Sequence, residues 1–254
     1  MPSRAANQTS QAPSPALAAL RRTPWLGQVA PHVLERLAEH AVVHRTPAGV
    51  QLFEQAETPA VAQFLMEGEV ELIAVRGDAE TLVELVKAPD LLLPAAVLNR
   101  QPYLVRARVH RDAVVMLAPA DAFRHAVASD HAFCLAVLAC EAAQFRRQMR
   151  LAKAIRLRSA EERIGAYLVE LAQGAPAGAA SVRLPLEKRL IASQLGMTRE
   201  TLSRALPGMA DHGLRVVGDV VHIDDLSAAL AAFPPDPLID GRESVTPLTP
   251  IKDP

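Results

Sequence analysis

The 254-residue chain has little cysteine, almost no net charge and no long apolar run, and each shortage excludes something. Two cysteines, Cys134 and Cys140, cannot hold a four-thiolate zinc or iron–sulfur site on one chain. Six residues apart on a helical stretch, they point in different directions and read as small buried hydrophobes. No apolar stretch reaches the roughly 18 residues of a membrane span. The Pro/Ser-rich start, Met1 to Pro15, lacks the apolar core of a signal peptide, so a cytoplasmic location is expected. No period repeats along the chain. There is no nucleophile elbow, Gly-rich phosphate loop, His-x-x-x-His pair or paired-carboxylate constellation, so no enzyme is expected. What is present is apolar material: half the residues are hydrophobic, which suffices for a core and excludes a disordered chain.

The texture changes along the chain. Residues 1–16 read as a disordered arm and 234–254, rich in proline, as a disordered tail. Leu34, Leu37 and Ala38 mark a short helix by their i, i+3, i+4 spacing. Leu17 to about Ala41 suits short helices, and from Val42 to Pro119 the texture is short strands, which suggests a small antiparallel barrel or roll over a domain of residues 17–124. Val70–Val75 and Thr81–Val86 flank Arg76-Gly77-Asp78, a turn signal. Leu91-Leu92-Leu93 is an apolar segment stopped by Pro94, and Val109 to Leu117 forms another strand.

From Asp121 to about Arg158 there is no Gly or Pro, and one long helix is expected. Leu135, Leu138, Ala142, Phe145, Met149, Ala152 and Arg156 alternate steps of three and four, a heptad seam. Residues 125–158 are accordingly read as a dimerisation helix. Its second half carries Arg146, Arg147, Arg150, Lys153, Arg156 and Arg158 without an intervening acid.

Residues 159–233 read as a DNA-binding domain. A helix over 159–173 precedes the segment from Pro185 to Leu206. There Leu190, Ile191 and Leu195 form one face of a short helix, Ala192 is small, and Gly196 stands four residues later, where a sharp turn needs positive φ. Thr198 is a helix N-cap, and Leu202, Ala205, Leu206 and Met209 face inward at helical spacing. Small residue, glycine four on, apolar residue six beyond: this is helix-turn-helix spacing. Arg199, Glu200, Ser203 and Arg204 share the outward face of the second helix, 198–206. Arg suits guanine, Glu accepts from cytosine, and Ser bonds either way. Thr198 and Lys188 complete the expected DNA-contacting set. Pro207 cannot donate to the Ser203 carbonyl, so the helix should bend or end near Leu206. Two β runs around Gly218-Asp219 read as a hairpin, a wing.

One count disagrees with that reading. Between Ser159 and Leu230 there are seven Lys/Arg against nine Asp/Glu, a balance of about −2. Non-specific DNA affinity depends on positive charge near phosphates. The six cations of the preceding helix bring the local balance to about +4. The arginine-rich stretch is therefore expected either to support DNA binding or to position the DNA-binding domains.

The order of elements resembles that of Crp/Fnr superfamily transcription regulators over residues 17–230. The resemblance is densest in Leu195-Gly196-Met197-Thr198-Arg199-Glu200-Thr201-Leu202-Ser203-Arg204. It is carried more thinly by Gly49-x-x-Leu52-Phe53, by Met66-Glu67-Gly68-Glu69-Val70-Glu71-Leu72 and by the strand from Ala107 to Pro119. It implies an α+β fold: a cyclic-nucleotide-binding-like antiparallel β-roll, a long dimerisation helix and a winged helix-turn-helix. It also implies a homodimer on double-stranded DNA, contact with RNA polymerase and no membrane. The Glu-x-x-Ser-Arg pattern, here Glu200, Ser203 and Arg204, implies palindromic half-sites of the TTGA kind, with Arg199 adding contacts.

The sensory half departs from the family pattern. Leu93-Pro94-Ala95-Ala96 and Gln101-Pro102-Tyr103 stand where cyclic-nucleotide binders keep a carboxylate for ribose and an arginine for phosphate. Arg106 and Arg108 lie a few residues on, sharing one strand face. Cyclic AMP is therefore not expected, and a [4Fe–4S] cluster is excluded on ligand count. For haem, which some relatives hold in such a roll, the candidate axial ligands are His32, His40, His44, His110, Met66, Met116 and, more remotely, Pro2. A roll with no ligand, acting by abundance or partner contact, stays equally open. The alternative to a regulator is a haem- or nucleotide-responsive module that does not bind regulatory DNA.

Overall fold

The computed structural model describes residues 14–176, 180–241 and 245–246. The expected arm lies mostly outside them, but its last two residues already belong to α1 (Pro15–Arg21), capped by the Ser14 hydroxyl. A 3₁₀ turn and α2 (Pro31–Ala38) follow, each opened by a proline whose missing N–H costs nothing at a helix start. Val33, Leu34, Leu37 and Ala38 form the buried face of α2.

The roll is one antiparallel sheet built on two long strands, β3 (Val61–Arg76) and β6 (Arg106–Pro119), with β1 (Val42–Thr46), β2 (Gln51–Phe53), β4 (Ala79–Lys87) and β5 (Asp90–Leu92) paired to them. The order is β1-β6-β3-β4, with β2 on β6 and β5 on β3. The expected turn at Arg76-Gly77-Asp78 joins β3 to β4, with Arg76 opposite Ala79 and Val70 opposite Val86. Gly68 adopts φ +91°, where a side chain would run into the Asp112 carbonyl, so the family-like Gly68 permits the close approach of β3 to β6. Pro94 does more than stop the apolar run: it opens α3 (Pro94–Asn99).

The single long helix expected from Asp121 is two. α4 (Ala120–Ser129) and α5 (His131–Leu157) meet at 112°. The break needs no proline: Asp130 takes an extended backbone and its carboxylate accepts the Phe133 N–H at 2.7 Å, an N-cap that starts a fresh helix. The expected dimerisation helix, 125–158, therefore begins at His131. Phe123 and Phe133, on either side of the bend, pack edge to face in the roll's core.

The C-terminal domain contains α6 (Ala160–Gln173), β7 (Ser181–Arg183), α7 (Lys188–Gln194), α8 (Arg199–Ala205), a 3₁₀ segment (Leu206–His212), β8 (Leu214–Val217), β9 (Val220–Ile223) and α9 (Leu226–Ala232). Ser159 and Glu162 close a capping box on α6. β9 lies between β7 and β8. A separate core gathers Ile164, Leu168, Leu202, Met209 and Leu214.

The tail expected to be disordered from Pro234 is seated over residues 234–241. Arg158 grips Asp240 with both guanidinium nitrogens, one at 2.8 Å. Arg150 and Lys153 donate to the carbonyls of Pro237 and Leu238. Its order comes from polar pairing with α5, which apolar periodicity does not register. Among the described residues no single helix is long and apolar enough to cross a membrane.

Candidate nucleic-acid interface

The turn between α7 and α8 has the geometry its residues demand. Gly196 sits at φ +64°, in the left-handed region. Thr198, extended at φ −78° and ψ 158°, accepts the Thr201 N–H at 3.2 Å through its hydroxyl and so starts α8. Leu202, Leu206 and Met209 are buried beneath. As Pro207 dictates, α8 ends at Ala205 and the chain tightens into the 3₁₀ segment.

With that face turned inward, Arg199, Glu200, Ser203 and Arg204 are all exposed along one side of α8. Thr198 is exposed at its start. Lys188 is half-buried and opens α7, a different element, so the structure groups it less closely with the other five. The Glu200 carboxyl is held below its ordinary value, first by a backbone N–H at the helix start, then by the Thr198 hydroxyl, with Arg199 and Arg204 adding to the effect. An ionised acceptor flanked by two guanidinium donors is the chemistry that base edges require.

The opposite side of the motif is fixed to the rest of the molecule. Leu190 is buried with Ile73, Leu82 and Leu85 of β3 and β4, so α7 docks on the roll as well as on its own domain. Arg111 donates to the Pro185 carbonyl at 3.5 Å, and Arg189 lies 3.9 Å from Glu71. At the turn, Ile155 of α5 fills the space beside Gly196. Arg163 of α6 donates to the carbonyls of Leu195 and Arg158, both at 2.7 Å. The sequence reading did not single out Ile155 or Arg163, and nothing in their local spacing marks them. The wing turns at Gly218-Asp219 as expected, and its Asp219 pairs with Arg183 of β7 at 3.2 Å.

Much of the basic run on α5 is engaged within the chain. Arg147 pairs with Glu84 at 2.6 Å and Asp90 at 2.8 Å, while Arg150, Lys153 and Arg158 hold the 234–241 segment. These contacts tie the run to the roll and to the 234–241 segment. The seam on the same helix stands differently. Leu138, Phe145 and Met149 are 52%, 65% and 44% exposed, an apolar stripe with no cover in one copy of the chain.

In the roll, Arg106 is bound to Glu54 and Glu80, and Arg108 to Glu71, so neither is free for a phosphate. His32, His40 and His44 are exposed, His110 lies between Glu69 and Glu71, and Met116 is buried in the core. Met66 is half-buried. None of these six lines the apolar cavity between the roll and α5. Cys140 is buried and its thiol is pushed far above the ordinary range by burial and by Asp90, which makes it a poor nucleophile.

Comparison with known proteins agrees with this geometry. Residues 162–232 match the Crp-like helix-turn-helix domain. No curated protein matches the chain in sequence. Among solved structures, the chain is similar to the c-di-GMP responsive global regulator CLP of Xanthomonas campestris, with TM-score 0.63 and 17% identity, covering 77% of this chain and 100% of that one. A CRP-family transcriptional regulator of Thermus thermophilus gives 0.59 and 20%, covering 80% and 100%. A candidate cyclic nucleotide binding protein of Ruegeria pomeroyi gives 0.52 and 25%, covering 87% and 98%. The family match thus gives residues 162–232 as a Crp-like helix-turn-helix domain, and most of the chain shares its fold with these solved structures.

Proposed function

We propose that the chain acts as a homodimer that reads a palindromic, TTGA-like operator through α8, with the roll as its sensory half. The observation that carries this reading is the exposed ridge of Arg199, Glu200, Ser203 and Arg204 on a helix whose other face is anchored. The apolar stripe of α5 supplies the dimer contact, because a seam at heptad spacing left in water gains most by pairing with its own copy. Two-fold symmetry then sets half-sites one helical turn apart. An event in the roll shifts α5 and, through Ile155 and Arg163, the turn that carries α8. RNA polymerase is the expected protein partner on DNA.

In a gel-shift assay on a TTGA-type palindrome, Arg204→Ala and Glu200→Ala should each weaken binding by roughly 1–3 kcal/mol. Parental affinity in both variants would remove the assigned reading face. The alternative, a responsive module without regulatory DNA binding, predicts no operator shift for the parent protein either.

A further inference from the structure

Between the roll and α5 lies a cavity of about 650 Å³, within the size range of small-molecule sites. Leu72 and Val83 of the sheet form one wall, Leu93 and Ala96 another, and Pro102 and Leu104 the mouth. Its polar groups are three glutamine amides and one carboxylate, Glu84, with no lysine or arginine among the lining residues.

The surrounding charges decide what could enter. Arg147 is spent on Glu84 and Asp90, two carboxylates against one guanidinium. Arg106 and Arg108 are likewise committed to carboxylates. An anion here would lose its hydration beside Glu84 and find no cation in return. The amides are oriented as well. Gln144 gives its side-chain N–H groups to Asp90 at 3.1 Å and the Leu91 carbonyl at 2.6 Å, and Gln148 gives one to Glu84 at 2.7 Å. What Gln144 retains is a carbonyl oxygen, an acceptor.

Two further features single out the site. Leu93, which lines the cavity at the start of α3, is a non-glycine residue held at φ 46°. Strain of this kind gathers at ligand clamps. Leu104, at the mouth, is 85% exposed, an apolar side chain that an occupant would cover.

We propose that this cavity binds an uncharged, mainly apolar small molecule carrying a hydrogen-bond donor, and rejects nucleotides and other anions. This deepens the reading of the roll as a sensory half. Gln144 and Gln148 lie on α5 beside Phe145 and Met149 of the apolar stripe, so an occupant touches the helix that would transmit the signal.

The test uses the full chain and needs no DNA, so it can fail while the operator reading stands, and the reverse. 1-Decanol, decanoate and cyclic AMP are titrated against protein loaded with the neutral dye Nile red. Decanol should displace the dye at least tenfold more tightly than decanoate, and cyclic AMP should not displace it. Val83→Trp, which fills the cavity, should abolish decanol binding. Leu104→Gln, a change at an exposed position that leaves folding intact, should weaken it at least threefold. Decanoate or cyclic AMP binding as well as decanol would overturn the proposal. So would an absence of decanol binding, or decanol binding unchanged in the Leu104 variant.

Discussion

Replacing Gly196 by alanine tests the turn on which the DNA-reading geometry depends. The backbone there is left-handed at φ +64°, a conformation that costs an L-residue roughly 1–2 kcal/mol. The new methyl would also stand 2.5 Å from Ile155 Cδ1 and 2.7 Å from its Cγ1, too close for any real contact. Ile155 is 44% exposed and has room to turn, so the clash becomes an off-rotamer side chain worth about 0.5–1.5 kcal/mol. Together Gly196→Ala should destabilise the C-terminal domain by roughly 1.5–3.5 kcal/mol. Its thermal midpoint should fall by about 4–8 °C for each kcal/mol. The two contributions separate in a double-mutant cycle: Ile155→Ala in the Gly196→Ala background should restore the contact part and leave the backbone part. Gly196→Asn should cost less than alanine at the backbone, because asparagine tolerates this region. An alanine variant within 0.5 kcal/mol of the parent would refute the turn geometry. Complete rescue by Ile155→Ala would refute the backbone contribution.

Two other outcomes follow from the same structure. Phe145→Asp places a carboxylate on each side of the proposed α5 seam and removes an apolar group worth about 1.5–3 kcal/mol per copy, so sedimentation should show dimer association weakened by roughly 10²-fold or more, with the monomer still folded. At the 234–241 segment, burial alone would raise the Asp240 carboxyl, but hydrogen bonds from Arg158 and the Asp236 N–H and the charge of Arg158 more than offset it and hold it below the ordinary value. The tie is therefore complete above the ordinary aspartate range and is lost as pH falls through the depressed value. Hydrogen exchange at 236–241, corrected for its intrinsic pH dependence, should accelerate in that window, and Asp240→Asn should accelerate it at neutral pH; protection unchanged in both would contradict the pairing.

The features that were legible in the sequence are those set by local chemistry. Gly196, Thr198 and the inward leucines act within a few residues of one another, so the helix-turn-helix, the exposed face of its second helix and that helix's interruption near Pro207 follow from spacing alone. The hairpins at Gly77-Asp78 and Gly218-Asp219 are equally local. The bend at Asp130 was not legible, because the run from Asp121 contains no Gly or Pro and an aspartate cap inside a helical pattern looks like an ordinary polar position. The fate of the α5 cations was not legible either. Arg147 meets Glu84 and Asp90, and Arg158 meets Asp240, across separations of 57 to 82 residues that no periodicity encodes. The strand Ser181–Arg183 escaped notice because three residues carry too short a pattern, and its pairing with β9 is a matter of tertiary register.

Base-by-base discrimination tests the central claim most directly. Each position of a TTGA-type half-site would be substituted in turn, and fluorescence anisotropy would compare the parent with Glu200→Ala at one fixed salt concentration. The exposed α8 ridge predicts that the parent loses roughly 1–3 kcal/mol at particular base pairs, and that Glu200→Ala loses that preference at one position of each half-site while keeping the others. A parent that binds every substituted site equally, or a Glu200→Ala variant with the parent's full pattern of preference, would contradict it.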